Sequence, residues 1–213
     1  MKKEQKRVAE IVERMDREYG RDLTCYLVHD TPWQLLIAVI MSAQCTDARV
    51  NEVTKTLFKT YDSLEKFAAA DLHELENAIH STGFYHNKAK NIIACAERLV
   101  LEFHGEVPSS LEDLLSLAGV GRKTANVIRG NIYGEPSIVV DTHVKRISRR
   151  LGLTTAEDPE QIEYDLMERL PKQDWILYNI HVIALGRSIC KARKPDCANC
   201  YLQDLCCAED KSC

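Results

Sequence analysis

Apolar residues recur every three or four positions along most of the chain, which is the spacing of one face of an α-helix. Two such faces consist of Val8, Ile11, Val12, Met15 and Tyr19, and of Val50, Val53, Leu57 and Phe58. The apolar run "WQLLIAVIM" at 33–41 predicts a buried helix, because it has about half of the roughly 20 residues that a membrane span needs. Only "PSIVVD" at 136–141 has a β-branched run, and one short run makes no sheet. The pattern predicts an all-α protein with about ten helices.

Polar residues and glycines punctuate these helices. Capping patterns that satisfy free backbone N–H groups pair Asp71 with Glu74, Ser109 with Glu112, and Asp158 with Gln161, the last across a proline at the first helical position. Helices are expected to end at Gly83, Gly105 and Gly152.

Charge is distributed unevenly. The chain has 213 residues, 45% of them hydrophobic, enough for one domain or two small ones, and its net charge of −4 argues against a nucleic-acid partner only if charge is taken as a total. Acidic residues concentrate in "AEDPEQIEYDLMER", whereas 119–150 has two, Glu135 and Asp141. The basic residues of 119–150 are Arg122, Lys123, Arg129, Lys145, Arg146, Arg149 and Arg150. This segregation indicates one face that binds a polyanion.

The N-terminal segment "MKKEQKRVAEIVERM" is charged and amphipathic and has no apolar stretch of the secretory type. We therefore expect a cytoplasmic protein that does not associate with a membrane.

A helical hairpin is predicted in "SSLEDLLSLAGVGRKTANVIRGNIYG". Its first helix has Leu111, Leu114, Leu115 and Leu117 as apolar positions, and its second has Ala125, Val127 and Ile128. Gly119 and Gly121 allow a tight turn and a close approach of the backbone to a ligand, and the following N–H groups form an anion site. The glycines alone are equally compatible with a plain hairpin. Arg122 and Lys123 favour a phosphate-binding turn.

Four cysteines near the C-terminus follow the spacing C-x6-C-x2-C-x5-C: Cys190, Cys197, Cys200 and Cys206. In a chain without an export signal, such a group indicates a metal site rather than disulfides. The spacing leaves a four-cysteine zinc site and an iron-sulfur cluster open. Cys207 and Cys213 are competing ligands, whereas Cys25, Cys45 and Cys95 are expected in helices, as small buried thiols. Three basic residues lie between the first two ligands and are expected to meet phosphates: Lys191, Arg193 and Lys194.

Together these motifs resemble the endonuclease III family of helix-hairpin-helix DNA glycosylases and abasic-site lyases. The likeness is carried by "LAGVGRKTANVI", by "VVDTHVKR" with Asp141 eighteen residues after Lys123, by the cysteine spacing, and by "MSAQCTD" and "TGFYHNKAKNI". It implies a central helical domain at 24–135 and a second domain, 1–23 plus 136–213, that holds a [4Fe-4S] cluster. It also implies a monomer that acts at the nucleoid on double-stranded DNA with a damaged pyrimidine or an abasic site.

The resemblance implies that Lys123 is the nucleophile. A neutral amine attacks the sugar C1′, expels the base and forms a Schiff base, after which the 3′ phosphate leaves by β-elimination. We expect the helix N-terminus, the neighbouring Arg122 and burial to favour the neutral amine. Without the resemblance, a phosphate contact is the favoured role for this lysine. Likewise, local sequence favours Asp141 as an N-cap, whereas the resemblance assigns it the stabilisation of the cationic sugar, and the two roles are compatible.

A base inside a duplex must be flipped out before it can react. By the resemblance, Gln44 enters the duplex at the gap and Phe84 stands where a wedge residue, often leucine, is expected. The phenylalanine departs from that pattern, and core packing is the alternative for it. Asp47 is interpreted either as a brace for the Gln44 loop or as an N-cap.

Two other functions compete with a bifunctional glycosylase for oxidised pyrimidines. One is a mismatch-specific adenine glycosylase of the same superfamily, against which the presence of Lys123 counts. The other is a non-catalytic DNA-binding module whose hairpin and metal loop only grip phosphates.

Overall fold

The computed structural model describes residues 2–22 and 25–211, and within them it contains eleven α-helices, two short 3₁₀ helices and no strand. The predicted all-α class is thereby confirmed. The helices are α1 (Lys2–Tyr19), α2 (Pro32–Ser42), α3 (Asp47–Thr60), α4 (Leu64–Ala68), α5 (Leu72–Ile79), α6 (Tyr85–Glu102), α7 (Leu111–Ser116), α8 (Arg122–Tyr133), α9 (Thr142–Arg150), α10 (Pro159–Arg169) and α11 (Trp175–Ser188). None of the described helices has both the length and the apolar character that crossing a membrane requires.

Two of the three predicted capping pairs are confirmed. Asp71 caps α5 and Asp158 caps α10, each by accepting hydrogen bonds from the first-turn N–H groups. The predicted cap at Ser109 is wrong by one residue, because Ser110 Oγ accepts the N–H of Asp113 at 3.0 Å. This start places Leu114 fully in the core, whereas Leu115, also predicted to be apolar-facing, is 43% exposed.

The unit Cys25–Gly134 is built around α2. The side chains of Leu35 through Met41 are all buried, because α3, α6 and α8 pack around this helix. That explains why its sequence is apolar all round instead of amphipathic. Helices α4 and α5 each pack against α6, and the buried residues of these helices belong to one core.

The unit formed within Met1–Thr24 and Glu135–Cys213 has a separate core. Here α11 packs against α1 and α9. The apolar face predicted for α1 supplies Val8, Ile11, Val12 and Met15 to this core. A buried hydrogen bond of 2.8 Å joins the hydroxyls of Ser148 and Tyr178 between α9 and α11. The run 136–141 has no regular secondary structure, and no strand occurs among the described residues.

Candidate nucleic-acid interface and cysteine loop

The hairpin between α7 and α8 uses its two glycines differently. Gly119 has φ +76°, and a Cβ built on it would lie 2.9 Å from Cβ of Asn91. This position therefore excludes other residues on both conformational and steric grounds. Gly121 has an extended backbone, with φ −94° and ψ 177°, and nothing lies within 4 Å of an added Cβ. The predicted helix-hairpin-helix turn is confirmed, but its backbone requires only the first glycine.

The N-terminus of α8 is arranged to receive an anion. Gly121 is the N-cap residue and provides no side-chain hydrogen bond, and the first turn contains no acidic residue. The first N–H groups and the positive end of the helix dipole are thus combined with Arg122 and Lys123, the first two helical residues. Lys123 is exposed, so the expectation that the protein itself buries this side chain is wrong. Lys123 lies in the first turn of α8, before the buried residues of that helix begin at Ala125.

Asp141 is the N-cap of α9, as local sequence predicts. Its Oδ1 accepts the N–H of Val144 at 2.8 Å, and the residue is half-buried. Lys123 belongs to the unit Cys25–Gly134, and Asp141 belongs to the other unit.

Three of the predicted DNA-binding residues line a single cavity. Gln44, Phe84 and Gly119 surround about 160 Å³ of space. Gln44 (φ 54°) and Phe84 (φ 49°) are both left-handed residues other than glycine, and both are exposed, Phe84 to 65%. Such backbones are uncommon and concentrate at functional sites. Because a side chain exposed to 65% contributes little to a core, the core-packing alternative for Phe84 is wrong.

The same cavity contains residues that sequence reasoning missed, namely Asn87, Lys88 and Asn91. Lys88 is only 4% exposed. A signal for it was present, because Lys88 falls on the same helical face as the buried Ile92, Cys95 and Leu99. A lysine on an apolar face is an unusual core residue unless it is paired.

One interpretation of Asp47, that it is the N-cap of α3, is wrong. Thr46 is the N-cap, and its hydroxyl accepts the N–H of Arg49 at 3.3 Å. Asp47 is the first helical residue. There its carboxylate complements the positive end of the helix dipole.

The four C-terminal cysteines line one cavity together with Arg150. The Arg150 guanidinium donates to Cys190 Sγ at 3.4 Å and to the carbonyl of Lys191 at 2.8 Å, and the Arg150 carbonyl accepts the thiol of Cys206 at 3.3 Å. Burial raises the pKa of Cys200 and of Cys206, and the neighbouring cysteines add to the increase. Across 2–22 and 25–211, no three His, Cys, Asp or Glu side chains are arranged to hold a single metal ion.

The other cysteines differ from one another. Cys207 is exposed and lines a separate cavity, and Cys213 lies outside the described residues. The expectation that Cys25 and Cys45 are helical is wrong, because Cys25 precedes α2 and the left-handed Gln44 separates Cys45 from that helix. Cys95 is buried in α6, and burial raises its pKa to about 12.

Several side chains of the predicted basic surface form contacts with other groups of the same chain. Lys145 and Arg149 on α9 form ion pairs with Glu157, and Arg146 donates to the carbonyl of Cys190 at 2.9 Å. These side chains hold a loop and the cysteine segment, which the charge pattern did not reveal. By contrast, the loop residues Lys191, Arg193 and Lys194 are exposed.

Residues 37–172 match the family model of the HhH-GPD superfamily base excision DNA repair proteins. Endonuclease III of Synechocystis is 54% identical over 184 residues, which cover 86% of this chain and 84% of that protein. Endonuclease III of Bacillus subtilis is 48% identical over 183 residues, covering 85% and 84%. The fold is similar to that of a trapped covalent intermediate of an endonuclease III with DNA, at a TM-score of 0.90 and 44% identity, with 95% of each chain covered.

Proposed function

Because the chain belongs to the HhH-GPD superfamily of base excision DNA repair proteins, we propose that it removes oxidised pyrimidines from duplex DNA and then cleaves the strand at the resulting abasic site. The observation that carries the proposal is an exposed lysine, Lys123, in the first turn of the anion-binding helix α8. The similarity to an endonuclease III that was trapped covalently on DNA supports a bifunctional enzyme.

In this reaction, Nζ of Lys123 attacks C1′ of the damaged nucleotide. The bond from C1′ to the base breaks, and the base leaves with the electron pair and takes up a proton that the attacking amine loses. The bond from C1′ to the ring oxygen O4′ then breaks, O4′ is protonated, and the opened sugar is joined to Nζ as a Schiff base. Loss of a proton from C2′ then breaks the bond between C3′ and its oxygen, which releases the 3′ phosphate. The hairpin binds the neighbouring backbone through the N–H groups around Gly119, Gly121 and Arg122, so that one turn both places the strand and presents the amine.

Desolvation of Lys123 is assigned to the substrate. Since the amine is exposed in the free protein, the DNA that covers it supplies the dry environment that favours the neutral form. Asp141 stabilises the cationic sugar that develops as the base leaves. One of its carboxylate oxygens is occupied by the N–H of Val144, so this task falls to the other oxygen.

Gln44 and Phe84 are proposed to fill the gap that the extruded base leaves. Both side chains are exposed and line one cavity beside Gly119 of the hairpin. An aromatic ring at residue 84 stacks on the neighbouring bases, and the amide of Gln44 hydrogen-bonds to base edges.

We further propose a [4Fe-4S] cluster held by Cys190, Cys197, Cys200 and Cys206. The donor set fits, because four cysteines line one cavity and four cysteine thiolates are the ligands of such a cluster. The guanidinium of Arg150 donates a hydrogen bond to Cys190 Sγ, and hydrogen bonds of this kind stabilise metal-bound thiolates. When bound, the cluster supplies folding free energy to the loop. The loop then presents Lys191, Arg193 and Lys194 to phosphates of double-stranded DNA. We expect a monomer at the nucleoid.

Borohydride trapping tests the enzymatic part. The purified protein is mixed with duplex DNA that contains an abasic site or thymine glycol, and a Schiff base is reduced to a stable adduct. We expect an adduct with the wild type and with Lys59→Ala, an exposed lysine of α3, and none with Lys123→Ala. If the wild type binds the DNA but forms no adduct, the bifunctional enzyme is refuted, and the non-catalytic module and the mismatch-specific glycosylase are the functions that stand. If Lys123→Ala still forms the adduct, the nucleophile is another amine.

Visible absorption tests the cluster. The purified protein is expected to be brown, and Cys197→Ser to lose both the colour and DNA affinity, whereas Cys207→Ser retains them because its thiol lines a separate cavity. A colourless preparation that contains zinc overturns the iron-sulfur assignment.

A further inference from the structure

A lysine is buried directly beneath the proposed wedge residue. Lys88 in α6 is 4% exposed, and its Nζ donates to the carbonyl oxygen of Thr82 at 2.8 Å. Burial lowers the pKa of Lys88. Burying an ammonium group is costly unless its hydrogen bonds bring a specific benefit. A methionine at this place on the apolar face of α6 would pack as well without that cost.

The benefit is found in the segment 80–84, which we call the wedge loop. Its last two residues, Gly83 (φ 70°) and Phe84 (φ 49°), are both left-handed. For phenylalanine this backbone is strained, and with 65% exposure the ring recovers little of the cost by packing. Other contacts must therefore hold the loop in this shape.

The side chain of Lys88 holds the wedge loop just before the strained pair. Its ammonium donates to the carbonyl of Thr82, the residue before Gly83. The backbone N–H of Lys88 makes the ordinary helical hydrogen bond to the carbonyl of Phe84 at 3.2 Å, which any residue at this position would make. Thr82 is itself fixed, because it is buried and its hydroxyl donates to the carbonyl of Ile79 at 2.8 Å. The ammonium thus ties the start of the loop to the helix that follows it.

We propose that Lys88 is a positioning residue for base extrusion, which holds Phe84 in the conformation from which the ring enters the duplex. The inference depends on the proposed function, since it takes Phe84 as the wedge. Lys88 acts through the wedge loop and takes no part in the attack by Lys123.

The test uses Lys88→Met, a variant that roughly keeps the length of the side chain and removes the hydrogen-bond donor. Its rate of adduct formation is compared with that of the wild type on two substrates. One substrate is an abasic site in a duplex, and the other is the same abasic site in a single strand, where no base pair has to be opened. We expect the rate of borohydride adduct formation to fall about tenfold on the duplex, the size of one charge-assisted hydrogen bond, and to stay within about twofold on the single strand. The matched control, Lys90→Met, alters an exposed lysine of the same helix and leaves both rates unchanged.

A double-mutant cycle completes the test. Phe84→Ala is expected to show the same selective loss, and adding Lys88→Met to it to cause little further loss. Equal losses on both substrates, or losses that add in the double variant, overturn the proposal. If Lys88→Met does not fold, the ratio of the two rates is measured in Lys88→Leu, which also removes the donor and is expected to show the same fall. A wild type that forms no adduct on either substrate refutes the proposed function instead.

Discussion

Replacing each hairpin glycine with alanine tests whether only Gly119 requires glycine, and the larger effect is expected at Gly119. Alanine at φ +76° costs about 1–2 kcal/mol relative to a right-handed backbone. The new Cβ would also lie 2.9 Å from Cβ of Asn91, and overpacking of this kind costs about 1–3 kcal/mol. Asn91 is half-buried on α6, so it cannot move away freely. We therefore expect Gly119→Ala to reduce the free energy of unfolding by about 2–5 kcal/mol.

Gly121→Ala is the matched control. Its backbone suits any residue, and a Cβ there meets nothing within 4 Å. The loss of chain entropy in the unfolded state favours alanine by about 0.4–1 kcal/mol, while the preference for glycine over alanine at an N-cap opposes it. The two effects nearly cancel, so we expect a change below about 1 kcal/mol.

Thermal melting followed by circular dichroism measures the difference. For a chain of this size, 1 kcal/mol corresponds to roughly 2–4 °C, so Gly119→Ala should melt about 4–20 °C lower and Gly121→Ala within a few degrees of the wild type. Fluorescence of Trp33 reports on the unit that contains the hairpin once Trp175, the other tryptophan, is replaced by phenylalanine. Equal melting temperatures for the two variants would refute the assignment of strain to Gly119 alone.

Three other changes test the remaining site residues. Asp141→Asn should keep the cap and the melting temperature, because asparagine caps as well as aspartate, but lower adduct formation on thymine glycol DNA about 100-fold; full activity would contradict the proposed role. Arg150→Met should shorten the half-life of the visible absorption in air relative to Arg149→Met, because it removes a donor to Cys190; equal half-lives would contradict this. The hydrogen bond from His86 lowers the pKa of Glu76 below 4.5, so the stability that the pair contributes is present above that value and is lost as pH falls through the lower folded pKa. The wild type should therefore melt at a higher temperature than His86→Phe at pH 6, and this difference should disappear in strong acid. A difference that is independent of pH would contradict the pairing.

Features that depend on neighbours within one helical turn were predicted well. The cap at Asp158, the N-cap role of Asp141 and the apolar face of α1 involve only residues three or four positions apart. The errors in this group are single-residue shifts, such as Ser110 in place of Ser109, where adjacent hydroxyls compete. With Ser110 as the cap, Leu114 lies in the core.

The use of the basic residues shows where local patterns stop. Clustered charge along 119–150 predicts a polyanion surface, yet Lys145, Arg146 and Arg149 of α9 contact protein groups instead. Their partners, Glu157 and the carbonyl of Cys190, come from other segments of the chain. A charge count carries no information on such partners, because it does not show which segments fold against each other.

The all-α class, the hairpin before α8 and the group of four cysteines can all be predicted from the sequence, since they follow from periodicity, turn chemistry and ligand spacing along the chain. That Gln44, Phe84 and Gly119 line one cavity, and that Lys88 is buried with its ammonium on the wedge loop, became visible only in the folded protein. Convergence and burial depend on packing between segments distant in the chain. Side-chain periodicity determines which face of a helix is apolar, but not which loop that face will meet.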